Sequence, residues 1–401
     1  MICAGAAGSR PGSDSCTFAI HGAAQGKAPI NRRVYSKAFP PNGKRERNKA
    51  IMKQLFITSV RDFEKNTMGT VEMREMPMPE PAEDEVRIKI IYSSICGSDA
   101  HTLTGHLGEF EEGTKAMLPM TFGHELSGVI DKVGPKAEAL GYHVGDKVIA
   151  NYAKYCYACD NCRSGHENLC SHVQFCMNGF AEYAVYHVTQ VHKLPENYDL
   201  ETAALIEPLT IALAAAEQAH ISYGKSVAIM GAGGIGLMLV QLARLAGASC
   251  VTVFDLVEEK CELAKQLGAD YAFDPRKEGA LDEAIKAAGG LYDCVLEGTG
   301  VVSSAENALK LLARNGDGVY FAMYGKDPYL QVNLHTDFYW DQKHLHGVIM
   351  GAGLFPKAIK LAPRVNLKAL IQKEHPLSRY QDAFADLYTK KYAKIVIKMD
   401  E

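Results

Sequence analysis

Three groups of residues have types and spacings suited to chemistry. The first is the stretch Tyr155–Cys170, YCYACDNCRSGHENLC, which places Cys156, Cys159, Cys162 and Cys170 at the spacing C-x2-C-x2-C-x7-C. Thiolates bind zinc tetrahedrally with sulfur at about 2.3 Å. Short spacers let backbone turns direct several sulfurs at one point. Four such ligands fill the coordination sphere and leave no position for a substrate, so the spacing predicts a structural site. Disulfides this dense belong to small secreted domains and not to a chain of 401 residues.

The second group is VAIMGAGGIGLMLVQLARLAGA, with G-x-G-x-x-G at Gly231, Gly233 and Gly236. A buried strand precedes the glycines and an amphipathic helix follows. Gly231 permits the tight turn, Gly233 lets the backbone approach a pyrophosphate, and Gly236 lets helix and strand pack closely. The helix start offers unpaired N–H groups and a positive dipole end to phosphates. Asp255 ends the next strand, nineteen residues beyond Gly236. Its carboxylate suits the ribose 2′-hydroxyl and repels a 2′-phosphate, which points to NAD rather than NADP.

The third group is dispersed. SSICGSDAHTLTGH and PMTFGHELSGVI supply Cys96, Ser98, Asp99, His101, His124 and Glu125, and LIEPLT supplies Glu207. Taken singly, Cys96 reads as a core thiol, His124 as a turn histidine, and Glu207 as a first-turn carboxylate favoured by the helix dipole. Taken jointly, beside a nucleotide fold, they suit an open zinc site. Such a site takes three protein ligands and keeps one position for substrate or water.

Regular elements must position these groups. Residues 53–95 read as short β-runs such as KQLFITSV and EVRIKIIYSSI, joined by the Pro-containing MPMPEPAEDE. ELSGVIDKVG, HVGDKVIANY and FAEYAVYHVTQVHKL continue that pattern. DLETAALIEPLTIALAAAEQAH reads as helix. From SVAIMGAG onward, strands alternate with helices of ten to fifteen residues, the signature of a parallel sheet covered on both faces. The fold class is therefore α/β with a β-rich partner domain.

Bulk properties bound the partners. The net charge is −4, but residues 1–51 carry nine Lys or Arg against Asp14 and Glu46, so that segment is +7 and the remainder −11. An acidic body excludes nucleic acid and anionic membrane as main partners. No apolar run approaches a membrane span. Residues 1–51 are rich in small residues and lack an apolar period, which predicts a disordered tail or a spurious upstream extension. The eleven cysteines form no secretory framework, so a reducing cytoplasm is expected.

The chain from about Met52 onward resembles the zinc-dependent medium-chain dehydrogenase/reductases of alcohol dehydrogenase type. CGSD, GHELSG, the four-cysteine loop, GFAEYAV, EPL, GAGGIG and FDLVEEKCELAKQLGAD carry the resemblance. GHE and EPL are similar to the sorbitol and threonine dehydrogenase branch. The resemblance implies a GroES-like catalytic domain at 53–206 and 346–401, interrupted by a Rossmann domain at 207–345. It implies one catalytic and one structural zinc per subunit, with Cys96 and His124 as catalytic ligands. Glu125 and Glu207 are both candidates for a third ligand, and Ser98 and His101 match proton-relay positions. The implied reaction passes a hydride between a secondary alcohol or polyol and NAD, with zinc polarising the hydroxyl. A threonine 3-dehydrogenase, a reductase of a bulkier ketone, and a non-catalytic zinc- and nucleotide-binding redox sensor are the alternatives. A homodimer or homotetramer is implied. The segment TGHLGEFEEGTKAML, near the pocket mouth, is longer than the family pattern.

Overall fold

The computed structural model describes residues 50–61, 67–105, 111–325 and 328–400, so nearly all of the expected N-terminal tail lies outside the described residues. The strand Glu85–Ser94 is the axis of the β-rich lobe. Its alternation buries Val86, Ile88 and Ile90 completely, the two-residue period of a strand with one face on a core. It pairs antiparallel with Glu125–Val133, with Tyr183–His187 and with Lys394–Lys398. Val191–Lys193 and Lys147–Ala150 extend this sheet on one side, and Ile371–Pro376 extends it on the other. Register matters here because it places Ser94 opposite both Glu125 and Val396. The chain just beyond Ser94 is thereby brought beside the first residue of one neighbour and the early residues of another.

The second lobe is a six-stranded sheet in which every pairing is parallel. Its strands are Ser226–Met230, Cys250–Phe254, Tyr271–Phe273, Tyr292–Glu297, Leu312–Tyr320 and His344–Gly347. Numbered in chain order, they lie 3-2-1-4-5-6. That is the doubly wound dinucleotide-binding order, with its crevice where the chain reverses direction beside the first strand. His344–Gly347 belongs to this sheet and straddles the boundary expected between residues 345 and 346. Among the described residues, no helix is long and apolar enough to cross a membrane.

One stretch read as a continuous helix is broken. DLETAALIEPLTIALAAAEQAH forms Leu200–Ala203 and then Ile206–Gln218, with Leu205 between them outside helical geometry at φ −90° and ψ 2°. Pro208 accounts for the new start. It lacks an N–H and suits only the first turn of a helix. The break sets Glu207 in a fresh first turn, facing the β-rich lobe.

The glycine loop shows why two of its residues cannot carry side chains. Gly231 sits at φ +102°, and a β-carbon on Gly236 would lie 1.9 Å from the Gly231 carbonyl oxygen. Gly236→Ala should therefore force helix and strand apart at an overpacking cost of ~1–3 kcal/mol. Thermal unfolding checks this expectation: a lower melting temperature is expected, and an unchanged one would show that the helix can shift freely.

Candidate active site and structural metal centre

Cys96 precedes the helix Gly97–Thr104, and its backbone N–H donates to Asp99 Oδ2 at 3.0 Å. The local sequence fixes this geometry, because the carboxylate three residues on caps the helix start. His124 and Glu125 stand at the entry of the neighbouring strand, and both are buried. The ligand atoms of Cys96, His124 and Glu125 all lie within 4.8 Å of one another. His124 Nδ1 is buried with no hydrogen-bond partner. A buried unpaired polar atom costs free energy, so the imidazole nitrogen is held ready for something further.

The electrostatics agree. Burial, followed by the charge of Glu125, pushes the Cys96 thiol up to about 12. Burial likewise raises Glu207 to about 8, with His124 opposing and with Glu125 and Cys96 adding to the rise. Asp99 is also raised by burial. Burial thus holds the Cys96 thiol and the Glu207 and Asp99 carboxyls toward their neutral forms for want of further positive charge. A divalent cation supplies it, and sulfur, nitrogen and carboxylate oxygen are the donors zinc prefers. The residues present fit that ion.

Sequence reasoning missed Lys394. Its Nζ donates to Glu125 Oε1 at 2.6 Å, to Oε2 at 2.5 Å and to the Ile95 carbonyl at 3.3 Å. Burial alone would lower this ammonium, but the charges of Glu125 and Cys96 outweigh it and raise its pKa. Its stem also lies against the glycine loop, since a β-carbon on Gly234 would meet Lys394 Cε at 2.7 Å. Tyr152 was missed as well. Its ring centroid is 4.7 Å from that of His124, and its hydroxyl is raised well above the usual range, by burial first and then by Glu207. Ser98 and His101 lie in the short helix that follows Cys96.

The four-cysteine loop is a separate centre. Its sulfurs lie within 4.8 Å of one another, and all four thiols are free. Cys156–Cys170 is 3.5 Å, Cys156–Cys162 3.9 Å and Cys159–Cys170 4.0 Å. Tetrahedral thiolates at about 2.3 Å from zinc stand about 3.8 Å apart. Backbone N–H groups of Cys162 and Ser171 bring Cys159 down to about 6. Cys162 is pushed up to about 12 by burial and by its thiol neighbours. Crowded thiols cannot all ionise without a cation among them, and the donor set again fits zinc.

At the nucleotide loop, a β-carbon on Gly233 would meet nothing within 4 Å. That is the open space a pyrophosphate needs. Asp255 Oδ2 accepts from the Ala232 N–H at 2.7 Å, and Oδ1 accepts from the Val257 N–H at 2.9 Å. The carboxylate thus ties the glycine loop to the end of its own strand.

Two family models match: the alcohol dehydrogenase GroES-like domain over residues 82–196 and the zinc-binding dehydrogenase domain over residues 234–364. The sorbitol dehydrogenase of Bacillus subtilis strain 168 is 32% identical over 324 residues, 78% of this chain and 89% of that protein. The chain belongs to the zinc-dependent medium-chain alcohol and polyol dehydrogenases. A solved zinc-binding dehydrogenase of Clostridium scindens is 66% identical with a TM-score of 0.86, covering 87% of this chain and all of the other. Two further solved structures, each 25% identical and covering 87% of this chain, carry nicotinamide cofactors. A zinc-binding dehydrogenase of Sinorhizobium meliloti 1021, covered in full with a TM-score of 0.79, is bound to NADP. An alcohol dehydrogenase of Escherichia coli CFT073, covered to 99% with a TM-score of 0.76, is complexed with NADH. The dehydrogenase is thus a zinc and nicotinamide enzyme acting on a small molecule.

Within this dehydrogenase, removing Lys394 strands a buried carboxylate. Lys394→Met leaves Glu125 buried and unpaired, a loss of ~3–5 kcal/mol. Thermal unfolding of the single and double variants is the check. Adding Glu125→Gln to Lys394→Met should restore part of the loss, because the stranded charge is gone. Equal melting temperatures for Lys394→Met and the wild type would refute the pairing.

Proposed function

We propose that Cys96 and His124, with one carboxylate at a time, hold the catalytic zinc of an NAD-dependent secondary-alcohol or polyol dehydrogenase. The observation that carries this is the convergence of Cys96, His124 and Glu125 within 4.8 Å, beside a buried and unpartnered imidazole nitrogen. When bound, zinc would supply Lewis acidity to the substrate hydroxyl, and the nicotinamide would accept the hydride. The chain's own residues orient and relay. Asp99 fixes the backbone of Cys96, Lys394 holds Glu125, and Tyr152 backs the His124 ring. Ser98, two residues beyond Cys96, begins the proton path, and His101 continues it toward solvent. Cys156, Cys159, Cys162 and Cys170 hold a structural zinc.

Charge counting supports the choice of one carboxylate. A thiolate and a neutral imidazole leave +1 on the ion; one carboxylate makes it neutral, and two make it anionic and a poorer Lewis acid. Glu125 lies within ligand reach here but is shared with Lys394. Glu207 stands nearby on the rebuilt helix start, with its pKa raised to about 8. Glu125→Gln and Glu207→Gln should each lower turnover, and the larger loss of zinc marks the resting ligand. Metal analysis with steady-state kinetics is the check; full zinc and full activity in both variants would remove the two-carboxylate reading.

Asp255 supports NAD over NADP by repelling a 2′-phosphate. The GroES-like part is assigned to 53–206 and 346–401 and the nucleotide-binding part to 207–345, with residues 1–51 dispensable. The setting is cytoplasmic and the assembly a homodimer or homotetramer. Turnover across a panel of secondary alcohols and polyols, with zinc stoichiometry, tests the main reading. Oxidation with NAD at two zincs per chain is expected, and binding without turnover would favour a sensor. In the same assay, Asp255→Ser should narrow the preference for NAD. Equal use of NAD and NADP by the wild type would overturn the role given to Asp255.

A further inference from the structure

We propose a third divalent-cation site, built from His220, Asp317 and His346 at the far end of the helix Ile206–Gln218. The three residues come from separate elements. His220 follows the helix, Asp317 lies in the strand Leu312–Tyr320, and His346 lies in the neighbouring strand His344–Gly347. Their ligand atoms all lie within 4.8 Å of one another. His220 Nδ1 is 3.2 Å from Asp317 Oδ1, and His346 Nε2 is 3.1 Å from the same oxygen. Nitrogen and oxygen ligands at about 2.0–2.1 Å from a tetrahedral ion stand about 3.3 Å apart. The two histidine–carboxylate edges already have that spacing, and the third edge closes within 4.8 Å.

The surroundings hold that face in place. Lys225 Nζ lies 3.4 Å from Asp317 Oδ2 and occupies that oxygen, which leaves Oδ1 for the ion. Gln218 Nε2 lies 2.9 Å from His346 Nδ1 and orients the ring from outside, the arrangement found behind metal-bound imidazoles. Rotating the Gln218 amide presents its oxygen to an Nδ1–H and frees the Nε2 lone pair for a ligand bond. Asp317 is 10% exposed, His346 21% and His220 63%, so the anion is sheltered while the open side admits water ligands. Two imidazoles and one carboxylate suit zinc and its borderline neighbours in the first transition row over calcium or magnesium. The ion would tie the end of the helix to two sheet strands. Glu207 stands in the first turn of that helix, so the clamp steadies an element that reaches the active site without touching the reaction.

The test uses the full-length enzyme, free of any affinity tag, with tightly held zinc counted first. Zinc chloride is then titrated by calorimetry. One further equivalent is expected, with a micromolar dissociation constant. The variant His220→Ala/His346→Ala should weaken it at least tenfold while keeping the tightly held zinc. His344→Ala, on the same strand and outside the cluster, should bind as the wild type does. Zinc in excess should also raise the melting temperature of the wild type and not that of the double variant. The wild-type titration decides alone if a variant fails to fold: no further equivalent overturns the site. A further equivalent of unchanged affinity in the double variant overturns it equally.

Discussion

The molecule depends on enclosing a charged pair where three distant parts of the chain meet. Lys394 comes from the last strand, Glu125 from the second strand of the central sheet, and Gly234 from the nucleotide loop. Removing two charges from water is costly, and the attraction between them compensates only when the geometry is good and the remaining bonds are satisfied. Here the ammonium reaches both carboxylate oxygens and a main-chain carbonyl. Both charges belong to the β-rich lobe, and only the stem of Lys394 reaches the other lobe, where it lies against Gly234. The pair therefore fixes the last strand against the strand Glu125–Val133 within the β-rich sheet and sets where the lysine stem meets the nucleotide loop.

That contact links the glycine loop to the residues proposed to hold the metal. The stem of Lys394 lies on Gly234 while its charge lies on Glu125, so a single side chain senses both. Any shift of the loop is felt at the carboxylate through a few covalent bonds. Gly234 has no side chain to hold the lysine away, and this explains a glycine at a position between the turn and the close helix–strand contact.

Much of this was legible in the sequence because the signals are local. The cysteine spacing lies within sixteen residues, and the glycine loop, its strand, its helix and Asp255 follow in order. Local spacing constrains local geometry, so both centres and the α/β class could be read directly. Lys394 could not. In AKIVIK it is one polar residue in a short strand, and its partner lies 269 residues away. Tyr152 reads as an ordinary strand aromatic. The break at Leu205 was hidden by the strong helical composition around it, although Pro208 carried the signal. His220, Asp317 and His346 are unremarkable singly and meet only through the order of parallel strands.

The long sequence separation inside the β-rich sheet bears on how the chain folds. Ser94 and Val396 pair across the central sheet although they are 302 residues apart. Closing an unstructured loop of that length costs about 5 kcal/mol of chain entropy. If the inserted parallel sheet forms first, its own strands shorten the effective loop, and the remaining closure becomes much easier. Domains of larger proteins commonly fold in such units. On that order the final strand docks last, and until it does Glu125 has no ammonium beside it. Chains held at that stage have a complete cysteine loop and a complete nucleotide fold, yet their carboxylate still faces water.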